Sequence, residues 1–243
     1  MKKRRKILFA AGAALVVLLV VAANVRHWRQ PVRGVRAMID YGAADTLVLA
    51  AEVEAAVASA LPAMQATRLC DADLQAVAAA AARNPYLSDC HASTTLDGRV
   101  AVYARQRRPI VRIFVQDGEY YMDGEGTRMP VSNVGTADVI VANGNIPAKG
   151  EGLTQVWQIA AYLDSHEEFG PLFDQIYRDE RGDLYLTPKM GNHVVQVGDT
   201  GDLDGKFANL MAIYSRGLPQ TGWDRYSVIS VKYKGQVVCT RRK

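Results

Sequence analysis

The chain has 243 residues, 49% of them hydrophobic, and carries 29 Lys and Arg against 25 Asp and Glu, for a formal net charge of +4 at pH 7. The positive excess stands at the two ends, residues 2–6 and 241–243, so it does not indicate a nucleic-acid-binding surface. Three cysteines without a CxxC pair are too few for a disulfide scaffold and match no zinc or redox motif. The length allows one large or two small globular domains.

The first hydrophobic run, residues 7–23, holds no charge and follows five consecutive cations. As a helix it covers about 25 Å, and Lys6 and Arg26 can reach the interfaces of a hydrocarbon core about 30 Å thick. Trp28 suits the far interface. The pattern predicts a transmembrane helix over residues 7–25, with residues 1–6 as a cytoplasmic tail.

The alternative is a cleaved signal peptide, because Val21, Ala22 and Ala23 place small residues near a cleavage point. The apolar run exceeds the usual signal core of about 7–15 residues, which favours the retained anchor. Both interpretations export the rest of the chain.

The part of the chain up to residue 106 predicts the order β-α-α-β-β. The predicted elements are a strand over 32–40, a helix over 50–60, a second helix capped by Asp71 or Asp73 and stopped at Asn84-Pro85, and strands over 86–95 and 99–106. Asp97-Gly98 is the dipeptide of a tight turn between the last two strands.

The second half predicts a β-dominated domain with two helices, so the overall fold class is α+β. Strands are predicted over 110–115, 119–122, 137–142, 175–178, 183–187, 193–198, 226–233 and 236–241. One helix is predicted over 153–163, and another from about residue 202 to Gly217, which is expected to cap it.

The sequence lacks the patterns of common enzyme sites. His27, His91, His166 and His193 are isolated, and neither HExxH nor GxSxG occurs. Asp199, Asp202, Asp204 and Gly205 are better explained by helix capping than by a calcium loop. No catalytic residue, cofactor, metal or small-molecule substrate is therefore predicted.

Cys70 and Cys90 flank the second predicted helix. That helix is about 20 Å long, and the seven residues returning to Cys90 cover about 23 Å as a strand, so the two cysteines could meet and form a disulfide. The alternative is two buried thiols.

Four stretches resemble the FtsQ/DivIB family of bacterial cell-division proteins: residues 85–108 (PYLSDCHASTTLDGRVAVYARQRR), 120–130 (YYMDGEGTRMP), 206–218 (KFANLMAIYSRGL) and 223–240 (WDRYSVISVKYKGQVVCT). The similarity runs in order along nearly the whole chain, but is weak over residues 148–173.

This resemblance implies a POTRA domain over residues 30–106, a β domain over 107–243 and no enzymatic activity. The implied partners are two small bitopic division proteins, of the FtsL and FtsB/DivIC types, through which such a scaffold influences septal peptidoglycan synthesis. It also implies a single-pass protein of the cell inner membrane, mostly periplasmic and enriched at the division site. The alternative is a POTRA-bearing periplasmic component of outer-membrane assembly or secretion.

The closing hairpin is the candidate partner-binding element, mainly because of the resemblance. If the strand over 236–241 forms an exposed edge, its backbone groups could accept a partner strand. The residues assigned to this role are Tyr226, Val231, Tyr233, Gln236, Val237, Val238, Cys239 and Thr240. The alternative is that these residues belong to the core of a sheet.

Overall fold

A computed structural model describes the backbone of residues 2–243 and the side chains of residues 11–243. The α-helices are α1 (Lys2–Arg29), α2 (Ala50–Ala60), α3 (Leu74–Ala81), α4 (Glu151–Ser165), α5 (Leu203–Ala212) and α6 (Leu218–Thr221). The strands are β1 (Val35–Asp40), β2 (Leu87–Thr94), β3 (Val100–Gln106), β4 (Pro109–Val115), β5 (Gly118–Asp123), β6 (Arg128–Pro130), β7 (Ile140–Gly144), β8 (Phe173–Arg178), β9 (Leu184–Pro188), β10 (Val194–Gly198), β11 (Tyr226–Ser230) and β12 (Val238–Arg241).

The N-terminal apolar run forms part of α1. From Ala11 to Arg29 this helix has the length and the apolar composition needed to cross a membrane, and none of that stretch is buried against the rest of the protein. Leu15, Leu18 and Leu19 are each more than half exposed. The exposed apolar surface is what a membrane-spanning helix would present to lipid.

The chain divides into two compact units, the first ending at Arg107 and the second starting at Arg108. In the first unit, β1, α2, α3, β2 and β3 follow in the predicted β-α-α-β-β order, and the sheet has the order β1-β3-β2. The β1–β3 pair is parallel and the β2–β3 pair antiparallel.

Two helices cover this small sheet through short apolar stripes. Val53 and Val57 of α2 and Val77 and Ala81 of α3 are buried in one core with residues of all three strands. At the start of α3 the Asp73 carboxylate accepts a hydrogen bond from the Ala76 amide at 2.9 Å. Asp73, rather than Asp71, is therefore the N-cap.

The second unit is built on a nine-stranded mixed sheet of order β12-β11-β10-β9-β8-β7-β4-β5-β6. The pairs β4–β7, β7–β8 and β10–β11 are parallel. Helical crossovers connect two of these pairs, since α4 joins β7 to β8 and the α5–α6 segment joins β10 to β11, whereas β5 and β6 lie between β4 and β7 in the sequence. Helices α4 and α5 share one apolar core with this sheet, which includes Val156, Ile159, Phe207 and Leu210.

The predicted strand over residues 137–142 begins later than expected, at Ile140. The Ala137 amide donates a hydrogen bond to the Tyr121 hydroxyl at 3.2 Å, and both residues are buried. This part of the chain packs over Tyr121 instead of pairing with a strand.

The prediction that Gly217 caps the last helix is wrong. Gly217 keeps a helical backbone and ends a π-helical turn, Ile213–Gly217, and the chain then continues as α6. Leu218 is fully buried, and Pro219 suits the first turn of a helix, so both favour continuation. The helix stops before Gly222, whose φ of 94° is accessible mainly to glycine.

Candidate partner-binding edge

The two edge strands of the nine-stranded sheet, β6 and β12, differ in how readily they could pair with an added strand. β6 is only three residues long and ends in Pro130, which has no amide hydrogen to donate. Arg128 also donates a hydrogen bond to the Ala148 carbonyl. β12 stands at the opposite end with four residues, none of them proline. β12 is therefore the better template for an added strand.

The edges of the first unit are also protected. The Ala37 amide on β1 donates to the Glu54 carboxylate of α2 at 2.9 Å, so a side chain occupies a main-chain donor of that edge. β2 carries an irregularity between Ser88 and His91, where Asp89 has a φ of 51°. A bulge of this kind disturbs the regular spacing that a partner strand needs.

The pairing of β11 with β12 identifies which backbone groups face outward. The Arg242 amide donates to the Arg225 carbonyl at 3.0 Å, across the same register that places Arg241 opposite Tyr226. Residues of an antiparallel strand alternate between facing their neighbour and facing away. Since the amide of Arg242 points to β11, the amide and carbonyl of Thr240 point to it too. The amide and carbonyl of Arg241 point to the open side.

The same alternation continues along β12. Ser227 donates its hydroxyl to the Thr240 carbonyl at 3.4 Å, which agrees with Thr240 facing β11. The amide and carbonyl of Val238 therefore also point to β11, opposite Ser230. Those of Cys239 point away from β11. Cys239 and Arg241 together offer two donors and two acceptors to an added strand. No described side chain bonds to these four groups.

The structure distributes the eight sequence-predicted site residues over the hairpin. Tyr226, Val238, Cys239 and Thr240 lie in the β11–β12 ladder, and Val238 is 46% exposed. The side chain of Val231 is buried after the end of β11. Tyr233 and Gln236 are exposed in the connecting loop, and half-buried Val237 packs against the core.

Both strands of the hairpin are shorter than the predicted 226–233 and 236–241, because the chain leaves the ladder after Ser230. The Val231 amide donates to the Gln196 carbonyl of β10 at 2.9 Å, and the Lys232 ammonium contacts the Asp183 carboxylate at 2.8 Å. These contacts draw the connecting loop toward β9 and β10. It turns back at Gly235, where φ is 68°.

A buried aromatic group supports this end of the sheet. His193 is 2% exposed, and its Nε2 and the Tyr214 hydroxyl share a hydrogen bond of 2.9 Å. The Trp223 ring packs edge-on against the Tyr214 ring, with 5.3 Å between the ring centres. Arg242 donates to the Asn192 carbonyl next to His193. The residue after β12 is thus fastened to the loop that precedes β10.

This group predicts a pH dependence of stability. Burial lowers the pKa of His193 from its ordinary 6.5, with a further lowering by Arg242 that Asp224 opposes. As the pH falls below about 6.5, the unfolded chain binds a proton that the folded chain does not, so stability is lost down to the folded-state pKa. His193→Gln should make the thermal midpoint of unfolding less dependent on pH in this window.

Exposed His91, stacked on Tyr103, provides the matched control. His91→Gln should retain the loss of midpoint on acidification. An equally steep loss in His193→Gln would show that another group is responsible.

Cations dominate the surface beside the edge. Arg225, Arg241, Arg242 and Lys243 are all exposed, and Asp224 is the nearby carboxylate, bound by the Asn192 amide at 2.8 Å. Charge complementarity therefore favours an acidic partner segment.

Sequence reasoning missed two parts of this site. Arg241 lies in the predicted closing strand but is absent from the eight predicted site residues, although its main chain belongs to the open edge. His193 was seen as isolated, because its contacts to Tyr214 and Trp223 join residues far apart in the sequence. The alternation of the closing strand could have shown that one residue in two faces outward, but not which.

Among the described residues, the metal-ligating side chains form no second site. Cys70 is exposed and Cys90 half-buried, both with free thiols, and their pairing stays a prediction. Across the described residues, no three His, Cys, Asp or Glu side chains come together as metal ligands.

Comparison with known proteins identifies the second unit. Residues 108–240 match the family model described as FtsQ/DivIB, C-terminal related, and the match ends within β12. No curated protein matches the chain significantly.

The matched segment covers more than half of the sequence. The chain belongs to the FtsQ/DivIB family, and this membership implies a role in cell division with other division proteins as partners. The family is known as a non-enzymatic division scaffold.

Proposed function

We propose that this protein is a membrane-anchored, non-enzymatic scaffold of the bacterial division machinery. In this proposal residues 1–6 are cytoplasmic, residues 7–25 span the inner membrane, residues 30–106 form a POTRA domain, and residues 107–243 form a periplasmic β domain. The apolar, unburied surface of α1 and the β-α-α-β-β order of the first unit support this assignment.

The partners are small bitopic proteins of the FtsL and FtsB/DivIC types, bound through β12 at the division site, where the complex influences septal peptidoglycan synthesis. The open β12 edge carries this proposal. It lies inside the family-matched unit, and Cys239 and Arg241 direct four main-chain groups away from β11. An added strand would pair with these groups by β-augmentation.

Purification of the tagged full chain from detergent-solubilised membranes tests this function. Small bitopic division proteins should co-purify, and a fluorescent fusion should concentrate at mid-cell. Co-purification of outer-membrane barrel or secretion components, with an even distribution of the fusion around the cell, would contradict the proposal.

A further inference from the structure

The end of α1 is fastened to one end of the small sheet in the first unit. Beyond Arg29, the Leu69 amide donates to the Gln30 carbonyl at 2.9 Å. The Arg33 amide donates to the Gly98 carbonyl, also at 2.9 Å. The Gln30 side chain lies 2.9 Å from the position that a Cβ on Gly98 would occupy. The β2–β3 turn, residues 95–99, is therefore held against the residue that follows α1.

This attachment sets the distance of the turn from a membrane that α1 crosses. Val25 is the last apolar residue before Arg26, and Gln30 follows it by about 7.5 Å along a helix. The headgroup zone on each side of a bilayer is about 5–8 Å thick. Gln30, and the turn packed against it, thus stand at the outer boundary of the headgroups.

The tip of this turn carries an apolar side chain without a partner. Leu96 is 92% exposed, more than any other described large hydrophobic residue. It lies two residues from Gly98, within about 7.6 Å along the chain. A single exposed leucine is ordinary on a protein surface. At this place, however, the membrane is the nearest apolar medium.

Cations lie on the segments that meet at this end of the first unit. Exposed arginines lie in the last turn of α1, just after it, and on neighbouring segments: Arg26, Arg29, Arg33, Arg36 and Arg68. Of the carboxylates at this end, Asp97 is engaged by the Thr95 hydroxyl and by Arg99 at 3.4 Å, and Asp71 is exposed. The excess of arginine is complementary to anionic phospholipid headgroups.

We propose that the β2–β3 turn and the five arginines around it form a docking surface for the anionic headgroups of the membrane that α1 enters, with Leu96 inserted among them. The proposal rests on the proposed anchor. Docking adds a second attachment of the first unit to the bilayer, besides its connection to α1. Each arginine near an anionic surface contributes roughly a five-fold change in the ratio of docked to undocked molecules.

The test uses the full chain, with Cys70, Cys90 and Cys239 replaced by alanine, in vesicles of phosphatidylcholine alone or with phosphatidylglycerol. A polarity-sensitive fluorophore is attached to Leu96→Cys, and in the control to Ser88→Cys at the other end of β2. At position 96 the emission should shift to the blue with phosphatidylglycerol, and headgroup nitroxides should quench it. At position 88 neither change is expected.

Charge is tested in the same labelled protein with Arg33→Gln and Arg68→Gln combined. The docked-to-undocked ratio should fall about 25-fold, from two five-fold steps. Alkaline carbonate extraction separates this proposal from the proposed anchor. If the chain resists extraction and position 96 reports water in both kinds of vesicle, docking is overturned and the anchor stands.

Two other results would also overturn docking. Extraction of the chain by carbonate would show that α1 does not anchor it in the membrane, and would overturn the proposed anchor and the proposed docking together. A blue shift that grows with the ratio of protein to lipid would indicate contact with a second copy of the chain instead of lipid.

Discussion

Cys239→Pro is expected to weaken binding of an FtsB/DivIC-type partner by about tenfold or more while the domain stays folded. Proline removes the outward amide at the centre of β12, and edge strands tolerate it at such positions. One net hydrogen bond of about 0.5–1.5 kcal/mol is lost, and a partner carbonyl is left unpaired at further cost. Because about 1.4 kcal/mol corresponds to a factor of ten, the loss should be clear in a titration.

Two matched variants separate binding from folding. Cys239→Ala keeps the amide and should bind nearly normally. Val238→Pro removes an amide that faces Ser230 of β11, so it should lower both the thermal midpoint and the affinity. Normal binding by a folded Cys239→Pro variant would exclude β12 as the site of strand addition.

Phe207→Ala is expected to cost the β-dominated unit about 3–5 kcal/mol, a large part of a total stability of about 5–15 kcal/mol. Phe207 of α5 is 1% exposed. Its ring lies 4.9 Å from that of Tyr162 and 4.8 Å from that of Phe169, measured between ring centres. Removing it leaves a cavity where α5 meets α4. Urea unfolding followed by tryptophan fluorescence measures the loss.

Phe114→Ala is the control, because Phe114 is 39% exposed and contacts Arg112 at 5.3 Å from the ring centre. Its removal should cost about 1 kcal/mol or less. If Phe114→Ala destabilised the protein as much as Phe207→Ala, the packing of α5 onto α4 would not be a main source of stability.

The order of elements could be predicted because the signals that define it are local. Ala50–Ala60 is helical with the predicted bounds, and the Asp97-Gly98 turn joins β2 to β3. Apolar spacing and turn dipeptides act within a few residues, so the sequence carries them directly. The same holds for α1, whose apolar run has no equal in the chain.

The structural features that the sequence patterns did not predict depend on contacts between residues far apart in the chain. The helix continues past Gly217 because Leu218 is buried in a core assembled from distant strands. The chain leaves β11 after Ser230 because Gln196 and Asp183, from β10 and the turn before β9, bind the following residues. Strand order, and with it the identity of the open edge, depends on such contacts.

The parallel pairing of β10 with β11 gives the closing hairpin a second consequence, for self-association. β10 carries Val194, Val195 and Val197, and β11 covers its edge. A shortened chain without the hairpin would expose this valine-rich strand to other copies of itself. Aggregation of such a chain would then reflect the uncovered β10, so partner loss is better studied with single substitutions in β12.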